Sequence, residues 1–119
     1  MKEIKIKIYQ EIGNSVAVSP EDGKNLFARI DKSLENYLIV TLDFADIDFL
    51  TSAFLNTAIG QLYSKYDSSF LQKNLKVENM ENEDIILLKK VVETAKEYFS
   101  SEENKQRIEK SVEEALQDE

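Results

Sequence analysis

The sequence predicts an α/β domain: a four-stranded mixed sheet with amphipathic helices packed against it and an extra C-terminal helix. Three observations carry this reading. Leu38-Ile39-Val40-Thr41-Leu42 is an unbroken aliphatic and β-branched run, the pattern of a strand buried on both faces. Ile4, Ile6 and Ile8 alternate with charged and polar residues, the period-two signature of a strand with one wet face. The segments between and after the strands space their apolar residues as helices do, and such one-sided helices need a sheet to cover.

Taken in order, residues 3 to 18 read as a β-hairpin, with Gly13-Asn14 as the turn and Val16-Ala17-Val18 as the return strand. Lysines on the wet face of the first strand discourage edge pairing with another chain. Ser19-Pro20-Glu21-Asp22 is a helix start: a capping hydroxyl, a proline suited to the first position, and acids at the positive helix end. Leu26, Phe27, Ile30 and Leu34 then share one face, to about Glu35. Gly23 falls in the first turn, where tolerance near a helix end is the simpler reading and close backbone approach the other. The strand at Leu38–Asp43 follows, then a link over Ala45–Leu50. A helix runs from about Ser52 to Lys65 on Phe54, Leu55, Ala58, Ile59 and Leu62. Asp67-Ser68-Ser69 breaks that pattern, and Leu75 and Val77 alternate with Lys76 and Glu78 as a fourth short strand. Asn82-Glu83-Asp84 opens a long helix on Leu88, Val91, Val92, Ala95 and Phe99. Ser100 and Glu103 have capping-box spacing and open a last helix carrying Ile108, Val112, Ala115 and Leu116. The chain thus divides into a domain over 1–99 and an acidic C-terminal helix over 100–119 that packs on the domain or on a partner.

Composition removes several function classes. The net charge of −8 repels a phosphate backbone, and no basic patch with interleaved aromatics offsets it, so nucleic acid is not an expected partner. There is no cysteine, hence no disulfide and no thiolate nucleophile. There is no histidine, which removes the usual general base near neutral pH and the commonest metal ligand. Asp43, Asp46 and Asp48 cluster before the second helix but lack the glycine-bearing spacing of a calcium loop; they read as solvated acids that favour the following helix. No catalytic residue, cofactor or metal is expected. No apolar run approaches the ~18–20 residues of a membrane span, and the N-terminus lacks the apolar core of a signal peptide. A cytoplasmic location away from membranes is the expectation.

The stretch LDFADIDFLTSAFLNTAIGQLY, together with Asn82-Glu83-Asp84-Ile85 and Leu87-Leu88-Lys89-Lys90, resembles the STAS-like family of unassigned function. That family is related to the bacterial anti-sigma-factor antagonists, and the element order fits from residue 3 to about residue 99. In the antagonists the corresponding helix begins Asp-Ser-Ser-Gly, and its first serine is phosphorylated by a partner kinase with a histidine-kinase-type ATPase fold. That serine falls on Ser52, with Thr51 the second candidate hydroxyl; here Thr51, Ala53 and Phe54 replace the flanking aspartate, serine and glycine. The resemblance implies a non-catalytic bacterial regulator that binds another protein, a histidine-kinase-type ATPase or kinase among the candidates, and is switched by phosphorylation. Its docking face would combine Asp48, Ala53 and Asn56 with Ser19, Asp22, Gly23 and Lys24. Three other readings stay open: Thr51 or Ser52 merely caps the helix, the helix start holds a nucleotide or other anion, or the chain is an adaptor or homodimer joined by its last helix.

Overall fold

In chain order the elements are β1 (Glu3–Lys7), α1 (Ile8–Ile12), β2 (Val16–Ala17), α2 (Pro20–Glu35), β3 (Ile39–Asp43), β4 (Phe49–Leu50), α3 (Ser52–Ala58), a 3-10 turn (Gly60–Ser64), α4 (Ser68–Asn74), β5 (Leu75–Glu78) and α5 (Asn82–Gln117). This computed structural model describes the backbone of residues 2–117 and the side chains of residues 2–100.

β3 is the centre of a three-stranded parallel sheet ordered β1-β3-β5. Register places Ile4 and Ile6 beside Val40 and Leu42, and these beside Leu75 and Val77, so one face is apolar across all three strands. Helices bury that face. Leu26, Ile30 and Leu34 of α2, Phe54 and Leu55 of α3 and Leu62 of the 3-10 turn are all buried with Val40 and Leu42 in one cluster. A second, two-stranded parallel ladder pairs β2 with β4, Val16 beside Phe49 and Ala17 beside Leu50.

The expected four-stranded mixed sheet is therefore corrected to two parallel sheets of three and two strands. The hairpin over residues 3 to 18 does not form. The alternation of isoleucines ends because Ile8 begins a helix, and Gly13 terminates that helix at φ 70, its N–H donating to the Tyr9 carbonyl. Gly13-Asn14 is thus a left-handed helix cap rather than a strand-reversing turn, and β2 is carried away from β1 to pair with β4. Parallel pairing follows from the helical crossovers that separate the strands of each ladder.

β3 is also less enclosed than its apolar run suggests. Val40 and Leu42 are buried, but Ile39 and Thr41 face the opposite side and are only half-buried. That side carries polar neighbours, including a Lys5–Glu78 ion pair of 2.9 Å that spans the central strand. The helix expected over 52–65 tightens into the 3-10 turn at Gly60, a residue of low helix propensity. α4 was not apparent because only Phe70 and Leu71 are apolar within it. No break occurs at Ser100: the capping-box spacing lies inside one continuous helix, α5. The packing expected of Ile108, Val112, Ala115 and Leu116 lies outside the described side chains.

Gly23 has a structural reason. A Cβ there would stand 2.9 Å from the Thr57 Cβ and 3.1 Å from the Phe54 carbonyl oxygen, so the glycine lets α2 lie close against α3. Close approach, not tolerance, explains it. Among the described residues, no helix is long and apolar enough to cross a membrane.

Candidate functional site

Two helix starts meet where the small sheet ends. At the first, Ser19 is extended and its hydroxyl accepts from the N–H groups of Glu21 at 3.1 Å and Asp22 at 3.3 Å. At the second, the Thr51 N–H donates to the Ala17 carbonyl at 3.2 Å, continuing the β2–β4 ladder. The Thr51 hydroxyl accepts from the Phe54 N–H at 3.3 Å and donates to the Val18 carbonyl at 3.5 Å. Thr51 thus caps α3 and ties it to the residue before Ser19. Its hydroxyl is engaged and half-buried. Ser52 is the first residue of the helix proper and is exposed. The two adjacent hydroxyls are separated by role: one holds the helix, the other is accessible.

The remaining sequence-predicted residues fall on three surfaces. Asp48 is exposed, with its N–H on the Ser15 carbonyl at 2.8 Å. It lies beside Phe49, which with its cross-strand partner Val16 forms an exposed apolar pair next to the α3 start. Asp22 is half-buried and Lys24 exposed in the first turn of α2, whereas Gly23 is buried against α3 and presents nothing outward. Ala53 and Asn56 turn the other way. With Ser52 they line a groove of about 410 Å³ between α3 and α5, whose far wall is Leu87, Lys90, Val91 and Thr94. Among the described residues, Lys90 is the sole ionisable group in that lining. The apolar stripe in the sequence identified Val91 but not Leu87, Lys90 or Thr94, because a periodicity search reports the face toward the core and these sit at its edge.

Asp43, at the end of β3, is a buried carboxylate with 6% exposure. Its Oδ1 accepts from the Asn79 amide at 2.8 Å and the Ala45 N–H at 2.9 Å. Those bonds, the Asn79 one foremost, hold its carboxyl below the usual carboxylate range against the opposing effect of burial, with Lys5 and Lys7 helping. The arrangement fastens the turn after β3 to the turn after β5, where Asp46 and Asn79 adopt left-handed φ values of 68° and 57°. Asp46 and Asp48 point to solvent rather than joining Asp43. Among the described residues, no group of three acidic, histidine or cysteine side chains is placed to hold a metal.

A second polar cluster joins the end of α2 to the chain after the 3-10 turn. The Tyr66 hydroxyl donates to Asp31 Oδ1 at 2.6 Å, and Lys65 Nζ sits 3.0 Å from Asp31 and also contacts Glu35. Burial and the Asp31 carboxylate push the Tyr66 hydroxyl up to about 12. Every member has a partner within the cluster, which reads as a structural clamp.

These features define an α/β domain whose accessible chemistry is a free hydroxyl at a helix start, flanked by an apolar pair and an apolar groove. The profile of the family described as STAS-like domain of unknown function (DUF4325) matches residues 22–84, over half of the chain. The chain belongs to that family. The matched span runs from the first turn of α2 to the first turn of α5 and contains β3, Thr51 and Ser52. No curated protein and no solved structure matches the chain.

Proposed function

We propose that this STAS-like domain is a non-catalytic regulator of the bacterial cytoplasm that binds another protein and is switched by phosphorylation of Ser52. The observation that carries the reading is the division of labour at the α3 start. Thr51 takes the cap, so Ser52 is left exposed and can gain a group without loosening the helix. A phosphate adds about −1.5 to −2 charges at neutral pH. It would stand where unpaired backbone N–H groups favour negative charge, so the fold tolerates it. A partner surface fitted to a neutral hydroxyl and to the Val16–Phe49 pair would be repelled. Binding is thereby switched without a change of conformation. Asp48, Ser19 and Asp22 form the polar surround of this docking face, and a histidine-kinase-type ATPase is the partner class the resemblance suggests.

The test uses tagged wild type, Ser52→Ala and Ser52→Asp expressed in the native cell. A protein recovered and identified with wild type should be retained by the alanine variant and lost by the aspartate variant, with equal thermal stability in all three. A partner held equally by both variants would sink the switch.

A further inference from the structure

β5 lies at the edge of the three-stranded sheet, and the helices that flank it do not close over it. α4 packs on β3 and β5, whereas α5 packs chiefly on α3 and the 3-10 turn. Val77 belongs to the apolar face of the sheet, beside the buried Leu42, yet it is 37% exposed. Strands of a parallel sheet are normally covered by helices, so the helix layer has an opening here. The result is a cleft of about 290 Å³. Leu75 and Val77 of β5 form its floor, Leu71 and Gln72 of α4 one wall, and Leu88 and Val92 of α5 the other.

Polar groups gather at one end of this cleft. Tyr63, Ser68 and Lys96 line both it and an adjoining hollow of about 310 Å³, so these three mark the passage between the two. The hollow also carries Asp67, outside the cleft proper. Burial pushes the Tyr63 hydroxyl up, which keeps it a donor. The ion pairs of the described residues are made by Lys5, Arg29 and Lys65, and none takes up Lys96. Among the described residues, the cleft lining holds that one cation and no carboxylate, in a chain of net charge −8. Apolar walls that end in donors and a positive charge suit a ligand with an apolar body and an anionic head. The volume is below that of one helical turn, roughly 420 Å³ for a cylinder about 10 Å across and 5.4 Å high. A small molecule fits it, and a protein helix does not. We propose that the cleft binds a small aliphatic carboxylate, its chain over Leu75 and Val77 and its carboxylate held by Tyr63, Ser68 and Lys96. The site lies on the other flank of α5 from the groove at Ser52 and does not depend on the switch.

The probe is octanoate, added below its micelle threshold to the isotope-labelled full-length chain, with octanol as the neutral control. Saturable amide shifts in the NMR spectrum should be confined to the residues flanking the cleft, 63–77 and 88–96. From hexanoate to octanoate the affinity should rise about tenfold, as two further methylenes enter the cleft. Lys96→Gln should weaken octanoate about tenfold and leave octanol within about twofold. Gln72→Trp, at an exposed position of the wall, should fill the cleft and abolish binding of both. No saturable shift with millimolar octanoate, equal affinity of the wild type for octanoate and octanol, or shifts centred on the α3–α5 groove would overturn the proposal.

Discussion

Replacing Gly23 with alanine should destabilise the protein, and the sign of the effect is what makes the experiment decisive. In the first turn of a helix, alanine in place of glycine gains about 0.5–1 kcal/mol when nothing opposes it. Here the new Cβ would meet the Thr57 Cβ at 2.9 Å and the Phe54 carbonyl oxygen at 3.1 Å. The second of these is α3 backbone, which no rotamer change can move aside. Opening a packed interface to admit a methyl group costs about 1–3 kcal/mol. The balance is a net loss of about 1 kcal/mol, or a Tm lower by about 4 °C for a domain of this size. Urea unfolding with an unchanged m-value measures it directly. Thr57→Ala in the same chain should recover only part, since it removes the 3.3 Å Cγ2 contact but leaves the Cβ. A Gly23→Ala variant more stable than wild type would refute the close packing of α2 on α3.

The two hydroxyls at the α3 start should respond differently in the same assay: Thr51→Ala loses about 1 kcal/mol with its cap, while Ser52→Ala stays within about 0.5 kcal/mol. Equal losses would contradict the assignment of Thr51 as the cap. Asp43 should contribute to stability in a pH-dependent way. Its carboxyl is held below the usual range in the folded protein, so the contribution is full above the ordinary aspartate value of about 3.9 and disappears as pH falls toward the folded value. Asn79→Gly keeps the left-handed backbone but removes the bond foremost in that effect, so its Tm should fall less steeply than wild type on acidification; parallel curves would show that Asp43 is not responsible.

α2, the starts of α3 and α5 and the central strand were legible because their signals are local. Ser19-Pro20 caps and starts α2, and Leu38–Leu42 can hardly be anything but a strand. Pairing was not legible, since whether Ile8 continues β1 or begins α1 depends on what buries it, and Gly13 serves a hairpin turn and a helix cap equally well. The same limit applied to Gly23, whose neighbours Phe54 and Thr57 lie some thirty residues away in sequence. At the site, the sequence located the helix start and ranked Ser52 before Thr51 by resemblance, but left open which of the two caps the helix. Their roles are fixed by Val18 and Ala17, which reach Thr51 only through the β2–β4 ladder. The groove stayed hidden because it is made by two helices, and half of its wall lies just off the apolar stripe of α5.

The central claim is that Ser52, not Thr51, is the regulated hydroxyl. Intact-mass analysis with peptide mapping of the protein purified from its native cell tests this most directly. The account predicts a population heavier by one phosphate, mapped to Ser52, with Thr51 unmodified. An unmodified chain under every growth condition tested, or a phosphate found on Thr51, would contradict it.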